Sequence, residues 1–138
     1  MIVVDTNIIS YLYIAGEFSK QTEEVLLNDS IWAAPLLWRS EFRSVLSQYI
    51  KKDLLTLEDA VEIMESASAL MENNEFDVAS RQVLELVEAS NLSTYDCEFV
   101  ALAKDLGIKL VTADNQISSQ FPGYAIAFQD YLRKDENL

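Results

Sequence analysis

The sequence predicts an α/β sandwich in which a parallel sheet is covered by helices on both faces. Three observations predict it. Short apolar runs rich in β-branched residues stop abruptly at polar ones, as Ile2-Val3-Val4 does at Asp5. Longer stretches between these runs place apolar residues at helical spacing. Strands separated by helices are most simply parallel, because parallel strands need a long crossover. Half of the 138 residues are hydrophobic, and Gly16, Gly107, Gly123, Pro35 and Pro122 are the only breakers, which argues for a compact helix-rich fold. A chain of this length removes roughly two-thirds of its unfolded surface from water, enough for a core without staples. No repeat, linker or low-complexity stretch divides it, so residues 1–138 read as a single domain.

Taken in order, residues 2–4 are a buried strand that delivers its end to Asp5-Thr6-Asn7. Residues 8–13 and 18–28 read as helices, and 31–34 as a second short strand closed by Pro35. From 35 to 51, Trp38, Phe42, Val45, Leu46 and Tyr49 share one helical face. A helix over 57–72 follows, with Thr56 as its N-cap, making a helical hairpin whose connection lies at 52–55. Residues 80–90 and 94–106 are further helices, the second ending at Gly107 in a C-cap position. A third strand spans 109–112, and a fourth spans 124–128 after the Pro122-Gly123 turn.

Composition narrows the chemistry. The chain has no histidine, which excludes Ser-His-Asp and Cys-His systems, histidine metal ligands and histidine pH switches. Its one cysteine, Cys97, makes neither an internal disulfide nor a cysteine-rich zinc site. Twenty-three acids against ten bases give a formal charge of −13, so the chain as a whole does not attract nucleic acid or anionic lipid. Such a balance fits a divalent cation, a basic partner or simple solubility. Only three apolar residues separate Met1 from Asp5, and no apolar run approaches bilayer length. The expectation is a soluble intracellular protein without a membrane role.

Four acids stand out. Asp5 and Asp114 each follow a strand, and in a parallel sheet both strand ends lie on the edge where α/β proteins place their sites. Each also fits an N-cap of the helix that follows. Asp96 fits a capping box with Ser93, yet shares the stripe of Phe99, Val100 and Ala103. Glu41 falls about 85° from the centre of its helix's apolar face at 100° per residue, a boundary position. Two unit charges about 4 Å apart repel by roughly 4 kcal/mol at an effective dielectric of about 20. A cluster of four therefore needs raised pKa values or a bound cation. Oxygen-only ligands suit Mg²⁺ or Mn²⁺, which pair naturally with phosphate and activate water. Spacing and composition allow a metal-dependent phosphodiesterase without selecting it.

Taken together, these residues resemble the PIN-domain family, and especially the VapC-type toxins of toxin–antitoxin systems, over nearly the whole chain. The matching pieces are Ile2-Val3-Val4-Asp5-Thr6-Asn7, Glu41 soon after a strand and a proline-containing turn, the stretch from Ser93-Thr94-Tyr95-Asp96 to Ala103, and Leu110-Val111-Thr112-Ala113-Asp114. The resemblance implies a three-layer α/β/α sandwich with a central parallel sheet of four or five strands. It implies a Mg²⁺ or Mn²⁺ site lined by Asp5, Glu41, Asp96 and Asp114, and endoribonuclease activity through metal-activated water. Thr112 would orient the carboxylates or the water, with Thr6, Asn7 and Gln116 supporting them. It also implies an RNA substrate, a cognate VapB-type antitoxin, a homodimer and a cytoplasmic setting. Where the family often carries a further Asp two residues after its last motif, this chain has Gln116, which holds a cation less firmly. That departure keeps open a PIN-like binding or regulatory domain without catalysis.

The remaining conspicuous residues have ordinary expectations. Arg39 and Arg43 lie on the helix flank opposite Glu41 and read as solvated charges, with a grip on a phosphate or carboxylate as the alternative. Cys97, Trp32 and Trp38 read as core. The acidic stretch over 58–88 reads as the solvated faces of two helices. Ile9, Tyr11, Leu12 and Tyr13 are divided between internal core and a surface for a partner helix.

Overall fold

The structure is a computed structural model that describes residues 1–136. Five short strands, β1 (Ile2–Val4), β2 (Trp32–Pro35), β3 (Glu75–Phe76), β4 (Leu110–Thr112) and β5 (Ala125–Ala127), form one parallel sheet in the order β3-β2-β1-β4-β5. Register is set by Val3, which faces Ala33 on one side and Leu110 on the other. Every residue of β1, β2 and β4 is buried. Successive strand residues point to opposite faces, so both faces must be covered. That is why these strands read as unbroken apolar runs.

The helices are α1 (Thr6–Tyr13), α2 (Ser19–Asn28), α3 (Leu37–Lys51), α4 (Leu57–Leu70), α5 (Ser80–Glu88), α6 (Thr94–Leu106), α7 (Asn115–Gln120) and α8 (Phe128–Glu136). α5 packs on α6, which covers β1, β2 and β4. α2 packs on both α1 and α8, and α8 lies on β4 and β5. The result is the three-layer α/β/α sandwich. Local signals set several boundaries as expected. Thr56 and Asp59 close a reciprocal capping box at the start of α4. Gly107 ends α6 at φ 67°, a left-handed conformation that glycine adopts without strain. Trp32, Trp38 and Cys97 are fully buried, and Ile9 lies in the core with Leu12 and Tyr13 packed against it.

Three expectations need correction. The third helix starts at Leu37, because Pro35 belongs to β2 and pairs with Phe76 of β3. The last strand stops at Ala127, and buried Phe128 opens α8. The third concerns charge. The Arg39 fork grips Glu75, with Nε and Nη2 donating to its two carboxylate oxygens (2.5 and 2.6 Å). The Trp38 indole N–H donates to the same carboxylate at 2.9 Å. Arg39 is thus not merely solvated, and Glu75 belongs to a strand and not to an exposed helix face. Two residues of strand carry no periodicity, which is why β3 is invisible in the sequence.

Arg39 draws the Glu75 pKa below the ordinary range, with Trp38 adding to it against the cost of burial. A lowered carboxyl stabilises the fold fully above its unfolded pKa of about 4.3 and loses that contribution as pH falls through the folded value. Glu75→Ala should therefore cost about 1–3 kcal/mol in urea unfolding at neutral pH, since it orphans the Trp38 N–H and a half-buried guanidinium. The gap between variant and parent should narrow as pH falls below about 4.

Candidate active site

Asp5, Glu41, Asp96 and Asp114 line a single cleft of about 270 Å³ together with Thr6, Asn7, Ser44, Val45, Phe99 and Ile117. The sheet order explains the convergence. β1 and β4 are neighbours and parallel, so Asp5 and Asp114 leave the same edge side by side. Glu41 comes from α3 and Asp96 from the first turn of α6.

Asp5 and Asp114 both cap helices and line the one cleft. Asp5 caps α1, its Oδ1 accepting from the Ile8 N–H at 3.1 Å. Its Oδ2 accepts from the Thr112 hydroxyl and from the Ala113 N–H at 3.2 Å. The Thr112 oxygen in turn accepts from the Asp114 N–H at 2.9 Å. Thr112 is fully buried, so it works behind the acids, fixing one and positioning the chain of the other. Asp114 caps α7 through the Gln116 N–H at 2.8 Å. Ser93 caps α6 by accepting from the Asp96 N–H at 3.1 Å. The Thr6 hydroxyl donates to Glu41 Oε1 at 2.7 Å, joining the first turn of α1 to α3.

Two expected residues differ in standing. Asn7 lines the cleft, whereas Gln116 is not part of its lining and is tied to it only by the bond its backbone N–H donates to Asp114. Ser44, Phe99 and Ile117 were not singled out as site residues. Each stands three residues after one of the acids, so it shares that acid's side of the following helix. That spacing is the signal that would have found them.

The electrostatics are those of an uncompensated acidic cluster. Burial is the main force pushing Asp5 up to about 6, helped by the charge of Asp114 and opposed by Thr112, Ile8 and Ala113. Burial also raises Glu41, with Asp96 adding to it and the Thr6 hydroxyl opposing. Asp96 is raised by burial and by Asp114, against its bonds with Ser93. Among the described residues, no lysine or arginine lines the cleft. A divalent cation fits this oxygen-only donor set. Among the described residues, no three acids close tightly enough to hold an ion unaided. The set matches Mg²⁺, which typically takes one or two carboxylates and completes its shell with water or phosphate oxygens.

A carboxyl whose folded pKa is raised takes up protons that the unfolded chain does not, so it weakens the fold as pH rises from about 4 to about 6. In chelator, Asp5→Asn should gain on the parent protein by about 2–3 kcal/mol between pH 4 and pH 7.5. Urea unfolding at the two pH values measures this. A flat difference would mean that the Asp5 carboxylate is not destabilised by its burial.

The chain is similar to known proteins over most of its length. The model of the PIN domain family matches residues 2–120. Ribonuclease VapC3 of Pyrobaculum aerophilum is 28% identical over 125 residues, spanning 88% of this chain and 95% of that protein. The crystal structure of PAE2754 from Pyrobaculum aerophilum superposes with a TM-score of 0.75 at 17% identity, covering 99% of this chain and 96% of the other. A toxin–antitoxin complex from Klebsiella pneumoniae gives 0.69 at 17% identity, with 93% and 98% covered. With a parallel five-stranded sheet, acids converging at its edge and a family match over most of its length, this chain belongs to the PIN domain family.

Proposed function

We propose that this protein is a Mg²⁺- or Mn²⁺-dependent endoribonuclease of the VapC toxin type, cutting RNA phosphodiester bonds with an activated water. One observation carries the reading: carboxylates from four separate segments meet in one cleft, where no lysine or arginine among the described residues balances them. The similarity to a protein named as a ribonuclease supports the same activity. Bound there, the metal would supply a water of lowered pKa and neutralise charge on the phosphodiester.

The protein's own residues have distinct parts. Asp5, Glu41, Asp96 and Asp114 would hold the cation, one or two of them directly and the others through its water shell. Thr6 keeps Glu41 from swinging away, and Thr112 locks Asp5 in one orientation. Asn7, the exposed residue beside them, would meet the substrate. Gln116 stands where a further carboxylate would add a ligand, and its backbone N–H steadies Asp114 instead, which favours one tightly held ion over two.

Regulation follows from the same charge. A cluster of carboxylates is a socket for a guanidinium, whose planar fork pairs with them at two points. We infer a cognate VapB-type antitoxin that inserts a basic segment, steered by the net charge of −13. Its likeness to a chain in a toxin–antitoxin complex supports that partner. The active assembly is proposed to be a homodimer working in the cytoplasm. Among the described residues, no helix is long and apolar enough to cross a membrane.

Asp5→Asn and Asp96→Asn should each lower Mg²⁺-dependent cleavage of RNA by at least about a hundredfold while circular dichroism stays unchanged. Wild-type rates in either variant, with chelator still inhibiting, would remove that residue from the metal site. Thr6→Val should leave cleavage possible but raise the Mg²⁺ needed for half-maximal rate by about three- to tenfold, since Glu41 loses its tether. Antitoxin association should slow as salt rises from 50 to about 300 mM. A rate indifferent to salt would rule out electrostatic steering.

A further inference from the structure

A second hollow, of about 380 Å³, opens beside the acid cleft and shares Asn7 and Val45 with it. It is bounded by α1, the residues 14–19 that lead into α2, and the later turns of α3. Its volume falls within the roughly 300–1,000 Å³ of small-ligand sites. Its chemistry is unlike the cleft's. Among the described residues it contains no lysine or arginine and a single carboxylate, Glu17, so an anion such as phosphate finds nothing there to neutralise it. It does contain three aromatic rings, from Tyr11, Phe18 and Tyr49. Tyr11 is braced against Phe18 at 5.1 Å and against Phe128 at 6.3 Å between centroids, and Phe18 meets Phe128 edge-on at 5.5 Å.

Hydrogen-bonding capacity is left over here. Ser10 and Ser19 spend their hydroxyls on the backbone at Thr6 and at Ile14 and Gly16. Among the described residues, the side-chain amides of Asn7 and Gln48 and the hydroxyls of Tyr11 and Tyr49 have no hydrogen-bond partner. Burial, with the charges of Asp5 and Glu17, raises the Tyr11 pKa, so that hydroxyl stays protonated and able to donate. Flat aromatic surfaces edged by free neutral donors and acceptors match a neutral, planar heterocycle with a polar edge. RNA-binding proteins hold unpaired bases in this way, by stacking and by bonds to the base edge.

We propose that this hollow is a subsite for one unpaired nucleobase, taken from a nucleotide next to the phosphodiester that lies in the acid cleft. The proposal rests on the nuclease reading for the position of the backbone, and its continuity with the cleft through Asn7 supplies the path. It gives an acidic protein a means of holding RNA that does not depend on phosphate contacts. It also makes the identity of that flanking base a determinant of which RNA is cut.

The test separates the subsite from the nuclease. Uncharged nucleosides, titrated without metal into isotopically labelled protein, should move the Gln48 side-chain amide and the Tyr11 and Tyr49 ring resonances saturably, one nucleoside more strongly than the others, while ribose should not. Gln48→Ala and Tyr49→Leu should each weaken that binding by about fivefold or more. In cleavage assays the same variants should raise KM by about five- to tenfold with kcat within twofold. An abasic nucleotide at one flanking position should cost the parent about tenfold and the variants almost nothing more. Nucleosides that act no differently from ribose would overturn the proposal, as would an abasic penalty that is the same in parent and variants. Binding of an arginine-containing peptide, lost in both variants while nucleosides have no effect, would assign the hollow to a protein partner and overturn it too. Nucleoside binding without any RNA cleavage would sink the nuclease reading and leave the base subsite standing.

Discussion

The carboxylate of Asp5 is the joint on which the site is built. It accepts from α1 through Ile8, from β4 through Thr112, and from the start of the next loop through Ala113. Three donors at once fix a buried acid far more firmly than a single cap does, and they tie together segments more than one hundred residues apart in sequence. The same group is raised to about 6 because even three donors do not replace the water it has lost. Position and electrostatic tension thus have one origin. Burial holds the carboxylate still and makes its charge costly, and a cation would relieve that cost.

The remaining acids are attached to this joint in graded ways. Asp114 is coupled through Thr112 and so moves with β4. Glu41 is coupled through Thr6, the residue next to Asp5, so α3 is registered against the first turn of α1. Asp96 reaches the cleft from the opposite helical layer, with its helix start fixed by Ser93. Loosening any one contact would disturb the arrangement without unfolding the protein. This separates residues that set geometry from those that build the core.

Much of this could be read from residue order. β1, β2 and β4 are legible because burial on both faces demands unbroken apolar runs, and Asp5 and Asp114 because parallel strands end on one edge. The start of α4 at Thr56 and the end of α6 at Gly107 are legible because caps are local chemistry. What escaped depends on contacts between distant residues. β3 is two residues long, and it is held by pairing with β2 and by a bond between Glu75 and Arg39, 36 residues away. The hollow beside the cleft draws on α1, residues 14–19 and α3, so no window of sequence contains it. Ser44, Phe99 and Ile117 lie between these cases, since their spacing from the acids is visible but its meaning needs the acids to meet.

The Glu75 anchor also bears on how copies of this chain avoid one another. An open sheet ends in strands whose outer backbone groups invite a further strand, and long exposed edges are templates for aggregation. Here one edge is β3, of two residues, and the other is β5, of three. Arg39 and Trp38 fasten β3 to α3, so it cannot easily peel away and offer the longer flank of β2 behind it. A two-residue rim gives an incoming strand too few hydrogen bonds to offset the entropy lost on docking. Self-association is thereby left to the helical faces, where charge and side-chain shape choose the partner more strictly than backbone pairing does.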